Sequence, residues 1–121
     1  MYKIIFFEDS DGYCSLKVHL KELRKNANGG NKDARINFYK IVAYIDTLKK
    51  EGTRIGEPIV KHLDGDIWEL RPLSNRILFA FYKENTFILL HSFQKKTQKT
   101  PRREILKAIR ELEDYRRRFP L

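Results

Sequence analysis

One stretch decides the fold: IWELRPLSNRILFAFYKENTFILLHSFQKKTQK, residues 67–99. It holds three apolar runs of strand length, which are rich in Ile, Leu, Phe, Trp and Tyr and are separated by two short polar breaks. The breaks contain Ser74-Asn75 and Glu84-Asn85, which are pairs typical of turns. The stretch therefore predicts a three-stranded antiparallel meander.

The chain before the meander predicts one strand and two helices. Residues 2–8 form a short apolar and aromatic run, which indicates a first strand. Apolar residues recur at helical spacing over about 15–26 and 32–50, and the sequence Asn-Gly-Gly-Asn at 28–31 separates the two segments. Because this connection is short, the two helices are expected to form an antiparallel hairpin. The expected apolar stripe of the second helix includes Ile36, Tyr39, Ala43 and Leu48.

The remaining segments complete an α+β domain. Residues 53–65 contain two glycines and a proline and predict an irregular connection to the meander. After the meander, Thr100 as N-cap and Pro101 at the first helical position predict a last helix. The predicted order is β-α-α-β-β-β-α, a mostly antiparallel sheet with an N-terminal helical hairpin and a C-terminal helix.

Length and composition predict one domain that covers residues 1–121. The 41% apolar content is enough for one core. The single cysteine, Cys14, excludes an intramolecular disulfide and a cysteine-based zinc site. No apolar run has the length of a membrane span, and the N-terminus lacks the pattern of a signal peptide. We therefore expect a cytoplasmic protein that does not associate with a membrane.

The charge of the chain points to a polyanionic partner. The formal net charge is +9 and the pI is about 9.7. Residues 91–121 hold ten Lys and Arg residues against four acidic residues, so that most of the excess lies in the last quarter of the chain. Such an asymmetry favours a nucleic-acid surface over a generally basic one. An acidic protein and a simple solvated basic surface are the alternatives.

The meander places candidate functional residues at one end of the sheet. Glu69 and Arg71 lie two residues apart and share one face of their strand. Arg76 opens the middle strand close to Arg71, and Lys95 and Lys96 follow the last strand. Planar guanidinium groups bind phosphate bidentately, so this cluster predicts a phosphate site. The alternative is a solvated basic rim with acidic partners.

His91 is the one histidine within the meander. A ring that titrates near neutral pH can act as a general acid or base, but the position of His91 favours a buried and hydrogen-bonded core histidine over that role. The three histidines lie in different regions with no matching carboxylate spacing, and there is no glycine-rich phosphate loop. No metal or other cofactor is expected.

Three motifs carry a resemblance to a known family: IWELRP at 67–72, NRILFAFY at 75–82 and LLHSFQKKTQKTPRREI at 89–105. With them the chain resembles the RelE-type toxins of bacterial toxin–antitoxin systems, specifically the HigB or phage Gp49-like branch. The resemblance implies a RelE-like α+β fold and an endoribonuclease that cleaves mRNA in the ribosomal A site. It also implies inhibition of translation, growth arrest, and a cognate antitoxin with a DNA-binding helix-turn-helix.

The resemblance also assigns residues. Arg71, Arg76 and Lys96 match the basic positions of the family, whereas Glu69 stands where some relatives carry a lysine. Glu69 or His91 is the expected base in a metal-independent reaction. Basic residues expected to bind RNA are Lys61, Lys95, Lys99, Arg102 and Arg103. The alternative function is a non-catalytic RNA- or protein-binding module on the same scaffold.

Overall fold

The computed structural model describes residues 1–121 and contains three α-helices and one five-stranded sheet. In chain order the elements are β1 (Lys3–Phe6), α1 (Ser15–Asn28), α2 (Lys32–Glu51), a 3₁₀ turn (Gly52–Ile55), β2 (Val60–Asp64), β3 (Ile67–Leu70), β4 (Asn75–Lys83), β5 (Thr86–Gln94) and α3 (Arg102–Arg118). The predicted α+β class is confirmed. The helical hairpin, the meander and the last helix lie where the sequence predicts them.

The sheet has the strand order β1-β5-β4-β3-β2. The strands β3, β4 and β5 form the predicted antiparallel meander. On the far side of β5, β1 pairs with it in parallel, with Lys3 opposite Thr86 and Phe6 opposite Leu89. The first strand of the chain is therefore held by the last strand, and the sheet is mostly but not entirely antiparallel.

The strand β2 corrects the prediction of an irregular segment at 53–65. Residues Val60–Asp64 pair antiparallel with β3, and Lys61 lies opposite Glu69. The turn between the two strands consists of Gly65-Asp66, where Gly65 has φ of 53°, a conformation that glycine adopts without a steric penalty. Because β2 is an edge strand with polar side chains, it lacks the continuous apolar run that identifies the central strands.

Two apolar layers lie on opposite faces of the sheet. On one face, the helical hairpin packs on side chains of the central strands: Leu16, Ile41, Leu48, Ile77, Phe79, Phe87 and Leu89. On the other face, α3 packs on the alternate side chains: Ile67, Leu78, Ala80, Ile88, Leu90, Ala108 and Leu112. Strands β4 and β5 are thus covered on both faces, which explains their nearly uninterrupted apolar sequence.

The buried side of α2 matches the predicted stripe only in part. Leu48 is buried as predicted, and Ala34 and Ile41 are buried as well, whereas Ile36 is 49% exposed and Tyr39 is 64% exposed. The sequence of α2 has apolar residues on two sides, so periodicity alone does not decide which side meets the sheet.

None of the helices combines the length and apolar character that crossing a membrane requires.

Candidate functional site

Polar side chains from three neighbouring strands, β2, β3 and β4, and from the segments that follow β3 and β5 converge on the face of the sheet that α3 covers. We call them the Glu69 cluster, and its members are Lys61, Glu69, Arg71, Arg76, Lys95 and Thr100. Backbone hydrogen bonds fix two of the members, because the N–H of Arg71 donates to Ile59 O at 2.9 Å and the N–H of Lys95 donates to Ser74 O at 2.8 Å. The end of the meander therefore brings together charged residues that lie up to 34 positions apart in the sequence.

Glu69 is the centre of this cluster and is only 1% exposed. Its Oε2 lies 3.5 Å from Nε of Arg71, and its Oε1 lies 3.9 Å from Nε of Arg76. The hydroxyl of Thr100 donates a hydrogen bond to Oε1. A buried carboxylate requires charged or hydrogen-bonding partners, and here two guanidinium groups and one hydroxyl provide them.

The two arginines keep unused hydrogen-bonding capacity. Nη1 of Arg76 donates to Leu73 O at 2.7 Å and to Asn75 O at 2.8 Å, while Nη1 of Arg71 lies 3.6 Å from Oε1 of Glu57. Nε of each arginine is buried and makes no hydrogen bond. Buried donors are normally satisfied, so two unsatisfied guanidinium donors side by side favour a site that receives oxygen atoms from a ligand.

The loop before β4 shapes the position of Arg76. Leu73 has φ of 59°, which is unusual for a residue with a side chain. In this conformation its carbonyl accepts the hydrogen bond from Arg76. Residues held in such conformations cost about 1–3 kcal/mol and cluster at functional sites. The turn therefore holds the guanidinium group against the sheet.

The electrostatics of the cluster are dominated by positive charge. Burial lowers the pKa of Lys95, and the nearby guanidinium groups of Arg76 and Arg71 lower it further, while Glu69 opposes them. Burial is also the main cause that lowers the pKa of Arg76, which Glu69 counteracts. Four cationic side chains face one carboxylate, so an anion placed here would relieve their repulsion.

A pocket of about 200 Å³ opens beside the cluster. Three residues predicted to bind RNA, Lys61, Lys95 and Lys99, line it together with Glu69 and Arg71. Glu69 is the one acidic residue of this pocket. Several predicted site residues that are distant in sequence thus meet around one small opening.

His91 lies apart from this pocket. The ring is 1% exposed, with Nδ1 at 2.5 Å from Oε1 of Glu111 and Nε2 at 3.0 Å from Oε1 of Glu104. Both glutamates belong to α3 and lie seven positions apart, on one side of the helix. Both ring nitrogens are therefore occupied by carboxylates, and the histidine joins β5 to α3.

The other predicted basic residues lie elsewhere. Lys96 and Arg103 line a second and larger cavity next to α1. Arg102 forms an ion pair with Asp64 at 2.6 Å, at the edge of the sheet formed by β2. The structure thus divides the predicted residues between the Glu69 cluster, the second cavity and an exposed ion pair.

Sequence reasoning did not identify two polar contributors. Thr100 was predicted to cap α3, but the helix begins one residue later, at Arg102 after Pro101, without a side-chain cap, and the Thr100 hydroxyl binds Glu69 instead. Asn75 is buried, where its Nδ2 donates to Oδ1 of Asn37 at 2.8 Å and its Oδ1 lies 3.3 Å from Nε2 of His19. A pairing of this kind between distant elements has no local sequence signal.

The fold and this site define a small, basic α+β protein with a cationic cluster around a buried carboxylate. Residues 31–113, more than half of the chain, match the family described as "Phage derived protein Gp49-like". The chain belongs to this family, which is associated with the toxins of toxin–antitoxin systems and implies an antitoxin partner. No curated protein matches the chain.

Proposed function

We propose that this protein is an endoribonuclease toxin of the RelE/HigB type, which cleaves mRNA on the ribosome and thereby inhibits translation. The observation that carries the proposal is the Glu69 cluster, in which two guanidinium groups with unsatisfied buried donors and two ammonium groups surround the buried carboxylate of Glu69. This set supplies positive charge for a phosphate and a group that accepts a proton.

The proposed reaction is a transesterification within the RNA. The ribose 2′-oxygen attacks the adjacent phosphorus, the bond from phosphorus to the 5′-oxygen breaks, and a 2′,3′-cyclic phosphate remains. A base takes the 2′-hydroxyl proton and an acid protonates the leaving 5′-oxygen. Arg71 and Arg76 stabilise the charge that develops on the phosphorane oxygens. Because guanidinium groups supply this charge, the mechanism needs no metal ion.

The geometry favours particular acid and base residues. Glu69 is the acidic residue beside the pocket, whereas His91 already contacts two carboxylates, so we assign the base to Glu69. Lys95 lies in the cluster and Lys96 outside it, so we assign the acid to Lys95. The lowered pKa of Lys95 makes its ammonium group a stronger acid than an ordinary lysine.

Ribosome dependence is part of the proposal. The cluster concentrates positive charge around a pocket of only about 200 Å³. Positioning of reactants can contribute about 7–11 kcal/mol to a barrier. A ribosome that holds the mRNA would supply this positioning. Exposed basic residues of α3, including Lys107 and Arg110, provide charge for contact with ribosomal RNA.

Primer extension on one transcript, with and without translating ribosomes, tests the proposal. We expect codon-phased cleavage with ribosomes, little cleavage without them, and loss of cleavage in Arg71→Ala. Arg24→Ala is the matched control, since it removes an exposed arginine of α1 far along the chain from the cluster. Binding of RNA without cleavage in either reaction would instead indicate a non-catalytic RNA-binding module. Equal cleavage in both reactions would remove the ribosome from the mechanism.

A further inference from the structure

A second cavity, of about 480 Å³, lies between the N-terminal turns of α1 and α3, beside the end of β5. We call it the α1–α3 cavity. Its polar lining includes Ser15, His19, Ser92, Gln94, Lys96 and Arg103, together with one carboxylate, Glu104, whose oxygens face His91 and Arg103. The volume is within the range of about 300–1,000 Å³ that small-molecule sites occupy. It is more than twice as large as the pocket beside Glu69.

The lining has the chemistry that recognises a nucleotide. Hydroxyl and amide groups of Ser92 and Gln94 provide donors and acceptors for the edge of a base, and Phe93 and Pro101 are the apolar members of the lining. Lys96 and Arg103 provide positive charge. Arg103 is 80% exposed at its side chain and approaches one carboxylate, Oε2 of Glu104, at 3.9 Å. This distance is well beyond the 2.6 Å of the Arg102 ion pair, so the guanidinium group remains available to an anion.

The cavity adjoins the Glu69 cluster along the chain. Lys95 lines the pocket beside Glu69, and the next residue, Lys96, lines the α1–α3 cavity. Consecutive Cα atoms are about 3.8 Å apart, so one short backbone segment carries a residue of each opening. His19 adds a second link, since its Nε2 lies 3.3 Å from Oδ1 of Asn75, the residue before Arg76.

We infer that the α1–α3 cavity is a nucleotide subsite, which binds the base and phosphate next to the bond that is cleaved at the Glu69 cluster. The inference rests on the proposed function for the identity of the strand that crosses both openings. A peptide is a poorer fit, because protein interfaces are anchored by buried apolar side chains and eight of the ten residues that line the cavity are polar. The cavity would contribute affinity and a preference for one base at a single position.

Nucleotide binding by the purified full chain tests the subsite independently of cleavage. The probes are the four ribonucleoside 3′-monophosphates and inorganic phosphate, followed by amide chemical shifts in NMR titrations. We expect the nucleotides to shift the amides of Ser92 and Gln94 more than phosphate does, and one base to bind at least threefold more tightly than the others. Lys96→Ala combined with Arg103→Ala should weaken that binding at least tenfold. Both residues are exposed, and both line the cavity. Arg24→Ala, which removes one exposed positive charge from α1, is the matched control.

The outcomes separate this inference from the proposed function. Nucleotide binding that needs Lys96 and Arg103, in a protein that cleaves no RNA, would support the subsite and reject the nuclease. If Gln94→Ala and the double variant cleave RNA with an unchanged base preference and bind nucleotides with unchanged affinity, the nuclease is supported and the subsite is overturned. Shifts that inorganic phosphate reproduces in full, or an acidic peptide that binds there while nucleotides do not, would also overturn it.

Discussion

The hydroxyl of Thr100 donates a hydrogen bond to the buried carboxylate of Glu69, which lies 31 positions earlier in the chain. This contact ties the loop between β5 and α3 to the strand β3. It also gives the buried carboxylate a hydrogen bond in addition to its two charged neighbours, Arg71 and Arg76. The loop that carries Lys95 and Lys99 is thereby fixed relative to the two arginines.

Replacement of this hydroxyl should affect both stability and activity. Thr100→Val keeps the shape of the side chain but leaves Oε1 of Glu69 without its neutral donor, so we expect a loss of about 1–3 kcal/mol in the free energy of unfolding. Cleavage should fall as the loop loses its attachment. Thr100→Ser retains the hydroxyl and should restore most of both. Urea unfolding and ribosome-coupled cleavage measure the two effects, and equal behaviour of the valine and serine variants would contradict this role.

Arg76 provides a second prediction. Arg76→Lys keeps one positive charge but loses the planar donor set that contacts the carbonyl groups of Leu73 and Asn75. We expect growth arrest to be abolished in this variant although the charge of the protein is unchanged. Growth curves after induced expression, together with a thermal melt, make the comparison. A folded lysine variant with full toxicity would show that charge alone is sufficient at this position.

Lys95 allows a prediction about pH. Because its pKa is lowered in the folded protein from the ordinary value of 10.5, the unfolded chain binds more protons in the interval between the two values. Stability should therefore rise with pH across that interval, and the positive charge destabilises the fold below it. Lys95→Met should raise the free energy of unfolding at neutral pH while it lowers cleavage.

The comparison over a pH series isolates this lysine from other titrating groups. The stability advantage of Lys95→Met should shrink as the pH rises through the lowered pKa towards 10.5, because the native lysine then loses its charge. The cleavage rate of the unmodified protein should decline over the same range, since a general acid must be protonated. A constant stability difference at all pH values would argue against a perturbed Lys95.

The choice between Glu69 and His91 as base is tested by two matched substitutions. Glu69→Gln should abolish cleavage, because the amide accepts no proton at neutral pH. His91→Gln leaves Glu104 and Glu111 without the imidazole ring that they share, so we expect a loss of stability with cleavage per folded molecule largely retained. Cleavage assays normalised to the folded fraction distinguish the two. The reverse pattern would move the base to His91.

Strand alternation accounts for the part of the site that the sequence predicts. It places Glu69 and Arg71 on one face of β3, and the short connection to β4 brings Arg76 to them. Alternation ends where β5 ends, at Gln94. Beyond that residue the sequence no longer determines which side chain turns to which face, so Lys95 and Lys96 could not be distinguished without the structure.

Other features depend on contacts between distant segments. The edge strand β2 is identified by its partner β3 rather than by an apolar run, and Thr100 acquires its role from Glu69. The sequence of α3 does indicate the environment of His91, because Glu104 and Glu111 lie seven positions apart beside the buried Ala108. Two acidic residues at that spacing next to an apolar stripe indicate a buried basic partner.

The parallel pairing of β1 with β5 has a consequence for the order in which the chain is made. The first strand finds its partner only after residues 86–94 have been synthesised, and the Glu69 cluster is complete only with Thr100. Sheets built from such non-local pairings form late, because the loop between the partners must close first. While most of the nascent polypeptide is still being translated, the Glu69 cluster is not yet assembled, so the cleavage proposed for the finished molecule cannot begin until synthesis is nearly over.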